Sequence, residues 1–278
     1  MINNRILSQL YRTFAHGCFI VALCVGTSFA QDSTQKAWDI LKQAASDSNE
    51  QKRAQAVSVL GLIKENPQAQ ALAEKALTSD DKAEVRAAGA DALGDMLATA
   101  AILQLKNALK DKDVAVVVSA AHALYELKQP VAYEVYYAIL TGEKKGGEGL
   151  MADQKKMLSD PKKMAQFGFE AGIGFIPFAG LGVGAIKAFT KDDESPVRAA
   201  SAKILANDPD PRSGEALVKA ASDKSWIVRA AALDAIAHRD DPQMASQNVA
   251  QLDDDKDVVK FVAAAAIIRL STKPAADK

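Results

Sequence analysis

The feature that most constrains this chain is a spacing that keeps returning. An aspartate is followed five residues later by a valine at Asp80 and Val85, Asp111 and Val116, Asp192 and Val197, Asp223 and Val228, and Asp254 and Val259. Successive copies lie 31, 81, 31 and 31 residues apart, and the long interval is one further 31-residue step plus an insertion of 50. A fixed period of this length marks an array of like units. Each is too small to bury its own apolar face, so neighbours must stack.

Offsets within each copy define the element. Eight residues past the valine stand Leu93, Leu124, Leu205, Ile236 and Ile267, and four residues past it stand Gly89, Ala120, Ser201, Ala232 and Ala263. Offsets of zero, four and eight share one face of a helix. A small residue between two large ones lets a neighbouring helix approach closely. A second apolar helix precedes each aspartate, over 98–109 and 213–221 for example. Pro67, Pro130, Pro211 and Pro242 mark where such helices begin, because proline is tolerated in a first turn. A less regular copy runs from Arg53 and Ala54 through Leu60 and Gly61 and reads as a capping repeat. The period therefore predicts an all-α fold, an α-solenoid of about six helix pairs with one helical insertion.

Asp-x-x-x-x-Val-Arg followed by Ala-Ala-x-x-Ala-Leu resembles the short bacterial HEAT repeat. The match is clearest at Val85-Arg86-Ala87-Ala88, Val197-Arg198-Ala199-Ala200 and Val228-Arg229-Ala230-Ala231. It departs at Val116-Val117, where the basic residue is missing, and at Val259-Lys260, where it is lysine. The resemblance implies a structural ladder between adjacent repeats, built from Asp80, Arg86, Asp111, Asp192, Arg198, Asp223, Arg229, Asp254 and Lys260. The residues themselves agree, since a carboxylate beside a helix N-terminus satisfies orphan amides and complements the dipole. The family also includes proteins of the phycobilin lyase group and relatives of DNA glycosylases, so a PBS-lyase-like activity is one function the resemblance implies.

The first thirty residues carry Arg5 and Arg12, an apolar run over 18–25, and Ser28-Phe29-Ala30 before Gln31. This is the pattern of a secretory signal peptide cut after Ala30, and the run is far short of the roughly twenty residues a membrane span needs. The expected organisation is a signal peptide at 1–30, N-terminal repeats at 31–140, an insertion at 141–191, C-terminal repeats at 192–272 and a tail at 273–278. Cleavage would place the protein in the periplasm or outside the cell. Cys18 and Cys24 would leave with the signal, so the mature chain has no thiol chemistry. The rest carries 32 basic and 35 acidic residues, which gives no reason to expect a nucleic-acid partner.

The insertion holds ten of the sixteen glycines. Residues 141–149 are rich in Gly and Lys and read as a loop. Residues 150–166 are polar and helical in pattern, with Lys155, Lys156, Lys162 and Lys163. Residues 167–189 are almost wholly apolar, with six glycines and Pro177 at the middle, as in a hairpin of two short, closely approaching helices. Such a hairpin fits packing against the solenoid over Tyr125, Tyr133, Tyr136 and Tyr137. It also fits shallow docking on a membrane surface, with Phe175 and Phe178 inserted and the lysines meeting anionic head groups.

His122 and His238 occupy different places in their repeats, and no cysteine lies beyond residue 24. Neither a metal cluster nor a nucleophile with its base can be assembled from local motifs. The run Asp253, Asp254, Asp255 and Asp257 lacks the glycine and glutamate of a calcium loop, and Gly180 to Gly184 lacks nucleotide-loop spacing. The expectation is a non-catalytic scaffold, without cofactor, that holds a protein or peptide on a concave face of about 60 Å, six units at about 10 Å each. Tyr125, Tyr133, Tyr136 and Tyr137 are its candidate anchors, because tyrosine is favoured at interfaces.

Overall fold

The computed structural model describes residues 31–135 and 195–272, and among the described residues all regular structure is helical. The expected signal peptide, insertion and tail, together with Tyr136, Tyr137 and Asp192, lie outside the described residues. Unit one pairs helix α1 (31–44) with α2 (Glu50–Ser58), which runs on as a 3₁₀ turn, Val59–Leu62. Unit two pairs α3 (Pro67–Ser79) with α4 (Ala83–Asp95), and unit three pairs α5 (Ile102–Ala108) with α6 (Val114–Glu126). A further helix, α7, starts at 131–135. After the gap come α8 (Ser195–Leu205), α9 (Pro211–Ala220), α10 (Trp226–His238) and α11 (Asp257–Ser271). The first element of the last unit is two 3₁₀ segments, Pro242–Met244 and Ser246–Asp253.

Local chemistry sets the ends. Asn66 and Asp210 cap the amides behind them while Pro67 and Pro211 fill the first helical position, where the missing N–H costs nothing. Asn49 and Asp113 cap α2 and α6 in the same way. At their far ends four of the second helices, α2, α4, α6 and α10, are followed by a left-handed residue: Glu65, Leu97, Lys128 and Asp240 all have φ between 51° and 57°. Behind α4, Ala98 N–H donates to Leu93 C=O and Leu97 N–H to Gly94 C=O, the Schellman arrangement.

The ladder is a row of arginine–aspartate pairs, bidentate at Arg53, Arg86 and Arg229. Arg86 donates from Nε and Nη2 to the two Asp111 carboxylate oxygens at 2.8 and 2.9 Å, and Arg229 does the same to Asp254 at 2.7 Å each. Arg198 pairs with Asp223. Arg86 and Arg229 also donate from Nη1 to carbonyls of their own turns, at Asp80 and Asp81 and at Asp223 and Lys224. Sequence reasoning missed one rung: Arg53 of unit one donates to both oxygens of Asp80 at 2.9 Å. Burial alone would push Asp80 and Asp111 up. The guanidinium and the backbone N–H behind each turn outweigh it, and both carboxyls sit below the ordinary range.

Second helices pack on one another along their length, α2 on α4 and α4 on α6, whereas the first helices α3 and α5 meet far less. The second helices therefore line the inside of the curve. Small residues set the approach: a Cβ on Gly89 would stand 2.7 Å from Leu77 N and 2.8 Å from Ala73 O of α3, and one on Gly94 would stand 2.8 Å from Ala123 Cα of α6.

The stacking order differs from chain order. Alpha-11 packs on α10, and on its other side it packs on α2 and the 3₁₀ turn of unit one. The second helices thus run α8, α10, α11, α2, α4, α6, with the first and last units of the chain in contact at the middle of the stack. Unit one, expected as a capping repeat, is covered by α11. The cause is α11 itself, whose Val259, Phe261, Val262, Ala263, Ala264, Ala265, Ile267, Ile268 and Leu270 are all buried. A helix that is apolar all round needs partners on every side.

Two outcomes follow for stability. Gly89→Ala should lower the melting temperature, because forcing a Cβ against α3 backbone costs about 1–3 kcal/mol and exceeds the roughly 1 kcal/mol that alanine ordinarily gains in a helix. Arg86→Ala strands the Asp111 carboxylate, with an expected loss of about 3 kcal/mol in denaturant unfolding at pH 7. The Asp111 pKa is depressed, so this contribution is full above the unfolded value near 4 and is lost as pH falls below it, and the two proteins should converge in acid.

Candidate partner-binding face

The inner face is built from two positions of the second helices, six and ten residues past the repeat valine. At six stand Asp91 on α4, His122 on α6, Lys203 on α8 and Asp234 on α10; at ten stand Asp95, Glu126, His238 and, on α11, Arg269. Except for Ala265 on α11, both positions are polar in helices made mostly of alanine, valine and leucine. That pattern was the available signal for this face, and sequence reasoning that fixed on the repeat valines passed over it.

These side chains converge from both halves of the chain. Asp95 is open to solvent at its own surface, yet protein surrounds it as it would a group on the floor of a concavity. Desolvation pushes its carboxyl above the ordinary range; His122 and Lys64 pull it down, and Asp234 and Glu126 push it further up. Asp234 is raised in the same sense by burial, against the pull of His238, Lys203 and Arg269. Asp95 belongs to unit two and Asp234 to unit five. They interact only because α10 reaches the 3₁₀ turn of unit one, with Gly61 lying against Asp95, so that a Cβ there would stand 2.8 Å from Asp95 Cβ.

Neighbouring groups are more fully paired. Ser119 Oγ donates to Asp91 Oδ2 at 3.1 Å across the α4–α6 contact. His238 Nδ1 lies 2.9 Å from the Asp234 carbonyl and 3.8 Å from its carboxylate. Arg269 donates from Nε to Asp240 at 2.8 Å and from Nη1 to the Leu62 carbonyl at 2.9 Å.

Beside this face, Tyr125 and Tyr133 are brought together edge to face, with centroids 5.9 Å apart, and remain 39% and 62% exposed. His122 stacks near Tyr125 at 6.5 Å, and Lys128 Nζ sits 5.3 Å over the same ring. Lys155, Lys156, Lys162, Lys163, Phe175 and Phe178 lie outside the described residues. Of the expected ladder, Lys260 pairs with Asp257 of its own helix at 2.9 Å, one turn away. Among the described residues no group of three His, Cys, Asp or Glu side chains could hold a metal ion, and no helix is long and apolar enough to cross a membrane.

A family model described as HEAT repeats matches the chain over residues 19–94, 38–123 and 184–268. No curated protein matches it. Among solved structures, the complex of CpcE and CpcF of phycocyanin lyase from Nostoc sp. PCC7120 is similar at 22% identity, covering 75% of this chain and 79% of that one, with a TM-score of 0.33. Human deoxyhypusine hydroxylase in complex with glycerol is similar at 14% identity, covering 84% of each chain, with a TM-score of 0.30.

The raised carboxyls give a pH test. A group whose folded pKa exceeds its unfolded value binds protons more tightly in the native state, so stability falls as pH rises through the carboxylate range. Asp234→Asn removes that cost. Its melting temperature should exceed the parent's at pH 7 and equal it near pH 3, as read by thermal circular dichroism.

Proposed function

Since this chain belongs to the HEAT-repeat family, we propose that it is a non-catalytic scaffold, exported to the periplasm or beyond the cell, that holds a protein or peptide partner on its inner face. The observation that carries the reading is the convergence of Asp95, Asp234, Glu126, His122, His238 and Lys203 from both halves of the chain onto one concave floor. Carboxyls held above their ordinary pKa are retained at a cost to folding, which fits groups kept for contact with something else. Exposed Tyr125 and Tyr133 stand beside them as amphipathic anchors with little rotamer entropy to lose.

Binding of this kind is distributed over several side chains, and charge sets specificity more than affinity. A peptide laid along the floor would meet alternating charge, with lysine or arginine side chains against Asp95 and Asp234, and acidic ones against Lys203 and Lys64.

The test is affinity capture from the envelope fraction or medium, with bait whose intact mass corresponds to residues 31–278, comparing the parent with Asp95→Lys/Asp234→Lys. A control, Leu103→Lys, changes an exposed first-helix position. Loss of a partner by the charge reversal, at least tenfold in yield, with retention by the control is the expected result. Equal capture by all three would sink the proposal. Rival readings, a membrane-surface role for 167–189 or a lyase-like activity, predict no dependence on these two aspartates.

A further inference from the structure

Among the described residues, the contact between unit six and unit one differs from every other step between second helices in lacking an arginine–aspartate rung. Its ladder acceptor is present: Asp47 Oδ1 takes the Asn49 N–H at 2.8 Å, as Asp80, Asp111, Asp223 and Asp254 take the amides two residues on. Arg53 folds back onto the Asp47 and Ser48 carbonyls, as Arg86 does onto those of Asp80 and Asp81. The donor is what differs. The position of the ladder arginine is Lys260, which pairs with Asp257 at 2.9 Å on its own helix. An ammonium cannot reproduce the planar, two-pronged match of guanidinium to carboxylate.

The apolar knob is missing at the same place. Val85, Val116, Val228 and Val259 are each buried, but their counterpart in unit one is Lys52, which crosses the seam to Asp257 at 3.0 Å. Lys36 crosses to Asp253 at 2.7 Å. Both are lysine pairs open to water: the Lys36 and Asp253 side chains are 46% and 72% exposed, against 9% and 15% for Arg86 and Asp111. Such pairs are weak and screened by salt.

The far edge of the seam is pinned. Arg269 is buried, holds Asp240 of unit five, and donates to the Leu62 carbonyl of unit one, while Thr34 Oγ1 bonds Ser271 Oγ beside it. The seam is thus fixed at the C-terminal ends of its second helices and lacks its rung at their N-terminal ends.

We propose that this seam is the hinge of the solenoid: the two half-stacks pivot about the Arg269–Leu62 contact, the ladder edge opening and closing between Lys260 and Asp47. Asp95 and Asp234 lie on either side of the pivot, so the inner face widens and narrows with it. The two half-stacks move as rigid bodies, because each of their own described steps carries an arginine–aspartate rung.

The test is a distance measured between spin labels at Leu103→Cys and Ile204→Cys, exposed sites in units at opposite ends of the stack, in the full chain with Cys18 and Cys24 replaced by serine. In the parent, raising sodium chloride from about 0.05 to about 0.5 M, which shortens the screening length severalfold, should shift and broaden the distribution. Lys260→Arg supplies the missing fork to Asp47 and should leave one narrow, salt-independent distance. Adding Asp47→Asn to that variant should restore the parent's salt response. A parent distribution indifferent to salt, a Lys260→Arg distribution like the parent's, or a double variant that stays narrow would each overturn the hinge.

Discussion

One guanidinium, shared between two carboxylate oxygens of the next unit and the carbonyls of its own turn, sets the geometry of this protein. Arg86 and Arg229 each make both kinds of bond, at nearly identical distances. The rung therefore ties turn to turn instead of merely helix to helix. It is largely shielded from water, so stranding either partner is costly even though the intact pair adds little over an apolar equivalent. Its value is in register: each unit is presented to the next at one spacing. Curvature then follows from which side of that rung packs more closely. Gly89, Gly94 and the alanines let α4 approach α3 and α6 almost backbone to backbone.

The order of units follows from a different constraint. A solenoid with chain-ordered units would leave α11 at an end with one side in water, yet its Val262, Ala264, Ile268 and Leu270 are all fully buried. Each large aliphatic residue moved from water into the core contributes about 1.5–3 kcal/mol, and docking α11 against unit one hides several that α10 alone does not reach. Unit one can accept it because its second helix shortens into the 3₁₀ turn Val59–Leu62, whose carbonyl end is satisfied by Arg269. Closing the chain's two ends on each other costs loop entropy only slowly with length, and the apolar gain exceeds it.

Much of this was legible in the sequence, and the reason is local. A 31-residue period, helical offsets of four and eight, and proline behind a capping Asn or Asp all act within one unit, so they announce helix pairs and a ladder without any tertiary knowledge. Arg53 escaped because unit one breaks the pattern twice: Asp47 lies 33 residues before Asp80, and Lys52 stands where valine is expected. Contact between residues more than two hundred apart has no local signal at all. The one clue was the unbroken apolar run Phe261 to Ile268, which covers every face and asks for two neighbours where an end helix has one. His122 and His238 looked unrelated because their offsets differ, although positions six and ten lie one turn apart on the same helical face.

The curvature also separates two kinds of position within one repeat. The ladder aspartate, valine and basic residue are held nearly constant from unit to unit, because changing any of them disturbs a neighbour. Offset six varies without such penalty: aspartate, histidine, lysine, aspartate and alanine occupy it in Asp91, His122, Lys203, Asp234 and Ala265. A face that can change its charge while the frame stays fixed is the physical requirement for recognising a particular partner with a repeated fold. The seam adds the remaining element. At this step the frame residues themselves change, Lys260 for arginine and Lys52 for valine, and it lies between the carboxyls whose separation decides how wide that face is.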